Sequence, residues 1–247
     1  MPATKISVCL SKAILLKDAF SEEPVGNGVR IRTAQGKSPI AKPGGYRLFI
    51  NMGTEPFEAE ITSPVYRPEK ILLRPDGGEK VEEIFLYPSP AYPVRDGSTL
   101  VLGTAAPETK LWFYLAEKTQ ERKLLEDYQK GKESISIFMR HLSGGGKRNW
   151  YIWDKEKKRG EFFQVRTEAD ETENYELSAS LKENYRRKDT LIYPAWECMT
   201  DSRGEFFLIL DGLKEQKYRL CCSFMQKNKQ ISKEMEIVGG KQTRCCL

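Results

Sequence analysis

The chain has 247 residues, with 40 basic against 35 acidic side chains and a net charge of +5. A hydrophobic content of 39% suffices for packed cores and excludes wholesale disorder, and the length fits one or two domains. Lys and Arg interleave with acids, as in 118–132 and 155–161, which excludes the clustered cationic footprint of a nucleic-acid binder.

From the amino end, Met1-Pro2-Ala3-Thr4-Lys5-Ile6 holds no apolar run and no small-residue cleavage site. No stretch approaches the ~20 apolar residues that a bilayer span needs. The expectation is therefore cytoplasmic synthesis without a signal peptide and no membrane span, with lysis of the cell as the route by which a particle containing the chain would be released. Period-two alternation then dominates. Val29, Ile31 and Thr33 alternate with Arg30 and Arg32, Tyr46, Leu48 and Ile50 with Arg47 and Asn51, and Phe57, Ala59 and Ile61 with Glu58 and Glu60. Each predicts a strand with one buried and one wet face. Turn signals bound these strands at Gly26-Asn27-Gly28, Pro43-Gly44-Gly45, Asp76-Gly77-Gly78, Gly144-Gly145-Gly146 and Gly239-Gly240.

Pro88, Pro90 and Pro93 predict an extended, semi-rigid connector. The boundaries that follow are a β-sandwich at 1–88, a Pro-rich linker at 89–98 and a larger β-sandwich domain at 99–247. In the latter, Leu100-Val101-Leu102 and Leu111-Trp112-Phe113-Tyr114-Leu115 are the first strands. Residues 119–130 place Leu124, Leu125 and Tyr128 on one helical face ahead of Gly131, and read either as one short helix or as a charged loop. Alternation resumes at Ile135, Ile137 and Met139, and at Tyr175, Leu177, Ala179 and Leu181. Lysine-rich 227–233 reads as a protected sheet edge, and the tail 241–247 is expected to pack on its own sheet or on a partner. The fold class is mainly β, two Ig-like sandwiches with at most one short helix.

One local pattern occurs twice. Lys42-Pro43-Gly44-Gly45-Tyr46-Arg47-Leu48-Phe49 and Thr200-Asp201-Ser202-Arg203-Gly204-Glu205-Phe206-Phe207 each carry a glycine turn into an aromatic strand. Glycine supplies the positive φ of the turn and the aromatic fills the space between sheets. Together with Leu16-Lys17-Asp18-Ala19-Phe20-Ser21-Glu22-Glu23-Pro24-Val25, the first copy resembles the transthyretin-like, carboxypeptidase-regulatory (prealbumin-type) β-sandwich modules, and the second resembles the same Asp-x-x-Gly-x-Phe hairpin. The resemblance implies non-catalytic accessory or spacer modules and brings no catalytic residues with it.

Site chemistry is sparse. His141, the only histidine, reads as a surface residue. Gly144-Gly145-Gly146-Lys147 lacks the Gly-x-x-x-x-Gly-Lys-Ser/Thr frame of a phosphate loop and reads as a hairpin tip. The acidic run 168–174 reads as a solvated loop, with a calcium site as the alternative. Cys9, Cys198, Cys221, Cys222, Cys245 and Cys246 form no metal-ligand or disulfide spacing and read as reduced thiols. No catalytic, cofactor or metal residue is assigned. Trp112 and Trp196 are expected in the core. In Trp150-Tyr151-Ile152-Trp153 alternate residues share a face, so both faces are buried or one is exposed. In the exposed case Asn149, Tyr151 and Trp153 form a candidate binding surface for a sugar ring or a protein.

The expected function is a non-enzymatic structural or assembly protein: an adaptor, decoration or plug in a bacterial multi-protein particle such as a phage-tail-like contractile injection system, with other protein subunits as partners. The alternative is a carbohydrate- or surface-binding module using exposed aromatics. A carboxylate-based hydrolase is the residual enzymatic reading.

Overall fold

The computed structural model describes residues 8–75, 81–138, 149–165, 173–226 and 229–247. His141, the tip at Gly144 to Lys147, the turn at Asp76 to Gly78, Met139, and most of the acidic run 168–174 lie outside the described residues. The fold is mainly β, as the alternation predicts, and the chain divides between Val94 and Arg95 into two compact units.

The first unit holds β1 (Leu10–Asp18), β2 (Arg30–Thr33), β3 (Ile40–Ala41), β4 (Tyr46–Ile50), β5 (Phe57–Thr62), β6 (Glu69–Leu73) and β7 (Val81–Leu86). Sheets β3-β4-β1-β7 and β2-β5-β6 share one core, in which Ile14, Leu16, Phe49, Phe57, Ile61, Leu73 and Leu86 are buried. The β5 phase is the predicted one, with Phe57, Ala59 and Ile61 inside. In β4 it is reversed: Arg47 and Phe49 are buried, while Tyr46 is 39% exposed. Packing Phe49 against Phe57, centroids 5.2 Å apart, outweighs burial of Tyr46. Arg47 tolerates its inward position because its guanidinium donates to the Gly26 and Tyr46 carbonyls at 2.7 and 2.9 Å. At the turn before β4, Gly45 sits at φ +81°, and a Cβ there would lie 2.8 Å from the Leu16 carbonyl oxygen.

β1 lies between β4, antiparallel, and β7, parallel. Its buried end is the carboxylate of Asp18, 3% exposed. Oδ1 accepts from the backbone N–H groups of Phe20 and Ser21 at 2.7 and 2.9 Å, and Oδ2 from the Tyr66 and Tyr92 hydroxyls at 2.7 and 2.6 Å. Tyr92 belongs to the segment read as a connector, 89–98, whose first part is thereby tied into the first unit, where Ser89 N–H also donates to Val65 O at 2.9 Å.

The second unit holds β8 (Thr99–Thr104), β9 (Lys110–Leu115), β10 (Lys123–Leu124), β11 (Ser134–Phe138), β12 (Asn149–Asp154), β13 (Arg159–Gln164), β14 (Asn174–Glu176), β15 (Thr190–Met199), β16 (Glu205–Leu210), β17 (Lys217–Gln226), β18 (Lys229–Val238) and β19 (Gln242–Cys246). A six-stranded sheet, β13-β12-β15-β9-β17-β18, is its spine. One face packs at one end on β10-β11-β14 through Trp150, Ile152, Ile192, Ile135, Ile137 and Tyr185. At the other end it packs on β16-β8-β19 through Leu111, Phe113, Leu220, Val101, Phe206 and Leu208. β18, which carries residues 229–233 of the lysine-rich segment, is a sheet edge, as expected, and 227 and 228 lie outside the described residues. The second turn copy follows its predicted chemistry. Gly204 sits at φ +81°, Asp201 Oδ1 accepts from the Arg203 and Glu205 N–H groups at 2.9 and 2.8 Å, and Phe206 is buried.

The short helix considered for 119–130 is not present. A single 3-10 turn spans Lys118–Gln120, and the chain then extends through β10. Leu124 pairs with Ile137, and Arg122 and Tyr128 bridge Ile192 and Tyr185. Pairing on both sides satisfies the backbone while still burying Leu124 and Tyr128, so tertiary contacts override the helical spacing. The 175–181 strand is also shorter than read: β14 ends at Glu176 and Ala179 is exposed, though Leu181 is buried.

Two predictions follow from this packing. Replacing Asp18 with Ala strands four donors around a buried site, and should lower the unfolding free energy by about 3 kcal/mol in urea melts. Deleting residues 243–247 removes β19, which pairs in parallel with β8 and whose following residue, Leu247, donates to Thr104 O at 2.8 Å. Scanning calorimetry should show Tm lower by ~5 °C or more.

Candidate functional site

The second face of the six-stranded sheet carries the feature with most chemical content. Reading register across the strands, this face collects Tyr151 and Trp153 of β12, Phe162 of β13, Leu191, Tyr193 and Ala195 of β15, and Trp112 and Tyr114 of β9. The rings are packed on one another. Tyr114 and Tyr151 stack with centroids 4.0 Å apart at 19°, and Trp112 and Phe162 at 5.1 Å and 23°. Tyr151 also meets Phe162 at 4.6 Å and Trp153 at 6.3 Å. Rings from β9 and β12 can reach each other across β15 because Ala195, opposite Tyr114, projects only a methyl group between them. At one margin Lys110 Nζ lies 5.8 Å from the Trp112 ring centre and pairs with Glu197 at 2.8 Å.

This arrangement places the predicted residues as follows. Trp150 and Ile152 are buried in the inner core, and Tyr151 and Trp153 share the outer face. Tyr151 is only 6% exposed, its ring covered by its neighbours, so it supports the face rather than offering a free stacking platform. Trp153 is half-buried at the rim, and half-buried Asn149 pairs with Gln164. Trp196 packs on the inner core, whereas Trp112, expected in the core, is half-buried on the outer face. Outer-face Trp112, Tyr114, Phe162 and Tyr193 were not singled out as a site by sequence, because each strand alone reads as ordinary core alternation.

The phenols of this face are shielded. Burial pushes Tyr151 and Tyr193 up to about 12, and pushes Tyr114 higher still. Cys221, also on this face, is likewise raised by burial, and Cys222 on the opposite face is buried. None of the six cysteines is in a disulfide, and Cys9 and Cys246 are exposed.

A second feature adjoins the first. A cavity of about 800 Å³ opens where Leu191 and Glu121 border the aromatic face, Leu191 packing on it and Glu121 accepting the Tyr193 hydroxyl at 3.3 Å. Its walls carry Lys123, Lys155, Arg186, Arg187 and Lys188, against two acids, Glu121 and Asp127. Asp127 Oδ1 is occupied by the Arg187 backbone N–H at 2.7 Å. Thr190, 1% exposed, lines the cavity and its Oγ1 has no hydrogen-bond partner among the described residues. Among those residues no group of three or more His, Cys, Asp or Glu side chains converges as a metal site would require, and no helix is long and apolar enough to cross a membrane.

No family model and no curated protein sequence matches the chain. Among solved structures, it is similar to the wild-type C-terminal domain of the AgI/II polypeptide BspA of Streptococcus agalactiae at 10% identity, covering 94% of this chain and 80% of that one, with a TM-score of 0.16. A second BspA C-terminal structure gives 8% identity over 85% and 78%, with a TM-score of 0.14. At these scores neither likeness carries an argument about fold or function.

The buried phenols yield a pH prediction. Their folded values lie above the ordinary value near 10, so their contribution to stability is complete below pH ~10 and is lost as pH rises toward ~12. Absorbance at 295 nm should show a late tyrosine fraction that ionises together with unfolding, and Tyr151→Phe should shrink that fraction without loss of fold.

Proposed function

We propose that the chain is a non-enzymatic assembly protein whose second unit docks a protein partner on the outer face of its six-stranded sheet. The observation that carries this reading is the pre-stacked aromatic layer of Trp112, Tyr114, Trp153 and Phe162, partly open to solvent. Trp, Tyr and Met are the side chains enriched at the centres of protein interfaces. Rings already fixed by mutual stacking lose little rotamer freedom on docking. Met225, 58% exposed on β17, extends the apolar area at its far end. An adaptor, decoration or plug in a multi-protein particle fits this reading, and a phage-tail-like contractile injection system is one such setting. The transthyretin-like resemblance supports it as well, since modules of that kind serve as accessories and spacers.

A second reading, carbohydrate binding, is favoured by one observation: Trp153 and Leu191 sit on the face where it borders the polar cavity, the mixed aromatic and polar character that sugar sites use.

The test is affinity isolation of the tagged chain from its native cells, alongside the double variant Trp112→Ala, Trp153→Ala. Wild type should elute in a complex of high mass with repeated partners, and the folded double variant should elute alone. Wild type eluting alone would remove the assembly reading. Glycan-array binding abolished by Trp153→Ala would then favour the carbohydrate reading.

A further inference from the structure

The cation-lined cavity does more than the proposed docking face requires. Five cationic side chains face two carboxylates there, a surplus of three, and counting neighbouring Asp189 as well leaves two. Both wall acids already accept hydrogen bonds, Glu121 from Tyr193 and Asp127 from Arg187. Lys188 has Asp189 Oδ2 at 4.0 Å, while Lys123, Lys155, Arg186 and Arg187 have no carboxylate within that distance among the described residues. All five are solvent-exposed, and like charges gathered around a concavity draw anions toward its opening.

The hydroxyl at Thr190 points the same way independently of charge. A hydroxyl almost wholly removed from water and left without a partner costs about 1–3 kcal/mol, a cost that a ligand acceptor would cancel. One further donor beside the cavity-lining residues, Arg122 Nε, is also buried without a hydrogen-bond partner among the described residues. Leu191 supplies an apolar wall, and the volume exceeds what a bare oxyanion fills and lies in the range of small-molecule sites.

We propose that this cavity binds a small organic molecule through a phosphate or sulfate ester, with the oxyanion held by Lys155, Arg187 and Lys188 and hydrogen-bonded by Thr190 Oγ1. Guanidinium and ammonium donors suit both esters, and the tetrahedral oxyanion offers the acceptors that Thr190 lacks. The site does not depend on the aromatic face engaging a protein.

Isothermal titration calorimetry of the full chain at low ionic strength should use four probes: inorganic phosphate, inorganic sulfate, glucose 6-phosphate and a sulfated disaccharide. Saturable one-to-one binding of an ester, tighter than of its inorganic ion and weakened by added salt, is the expected result. The better of the two organic probes identifies the source of the oxyanion. Thr190→Val should weaken that binding about tenfold while Tm stays level or rises, because the hydroxyl has no internal partner to lose. Arg187→Gln, on an exposed side chain, should weaken it similarly and provides a second readout if the valine variant fails to fold. Failure of all four probes to bind wild type at millimolar concentration would overturn the proposal. So would binding unchanged in both variants, since the anion would then sit elsewhere.

Discussion

The stack of Tyr114 on Tyr151 is the contact on which the outer face depends. The two rings belong to β9 and β12, which do not pair, and β15 runs between them. Any large residue opposite Tyr114 would hold them apart. With Ala195 there, the rings close over the strand, cover its backbone from water, and bring Phe162 and Trp153 into the same layer. One small side chain thus turns a row of separate aromatics into a continuous surface. The same sheet is packed on its other side by two cores at once, through Ile192 toward one end of β15 and Cys198 toward the other. A strand fixed along its whole length on one side is a rigid base for what is displayed on the other.

Both units are closed by the same device. In each, the first strand pairs in parallel with the last, β1 with β7 and β8 with β19. Such a pairing joins residues from opposite ends of each unit, so it forms only once the intervening strands are in place. In the first unit, ion pairs from Lys12 and Lys17 of β1 to Glu82 and Glu83 of β7 reinforce the closure, and the Asp18 carboxylate gathers donors from three separate segments at the end of β1. In the second, Gly240 N–H donates to the Thr99 hydroxyl at 2.8 Å where the two closing strands begin. Lys12, Lys17, Asp18 and Thr99 are buried at these junctions and each is paired, which is what lets a closing strand tolerate them.

How far sequence could lead is clear from particular residues. Phe57, Ala59 and Ile61 were legible because period two and a polar opposite face leave one phase. Tyr46 to Ile50 was not, because both phases offer large apolar residues and only the partner core, Phe57 against Phe49, chooses between them. The turn at Asp201 to Gly204 was legible because its hydrogen bonds are local. The segment 119–130 stayed open between helix and charged loop for the opposite reason: Leu124 and Tyr128 are four apart, a helical spacing, yet their partners Ile137 and Tyr185 come from distant parts of the chain. Half of the Trp150 to Trp153 problem was visible, the division into two faces. The covering of Tyr151 by Tyr114 was not, since nothing local to either strand specifies a neighbour two strands away.

The charge pattern shows the same limit in its strongest form. Alternating acids and bases along 118–132 and 155–161 average to near neutrality in one dimension, and a solvated surface is the natural reading. Folding sorts them by side. Lys123 and Lys155, from two of those runs, converge with Arg186, Arg187 and Lys188, while Glu156 and Glu126 do not line the cavity. The acids that remain, Glu121 and Asp127, are turned to structural use by Tyr193 and the Arg187 backbone. A run that is balanced along the chain becomes unbalanced across it wherever a strand presents only alternate residues to one side. Charge interleaved along the chain therefore does not exclude a compact cationic concavity the size of one small molecule.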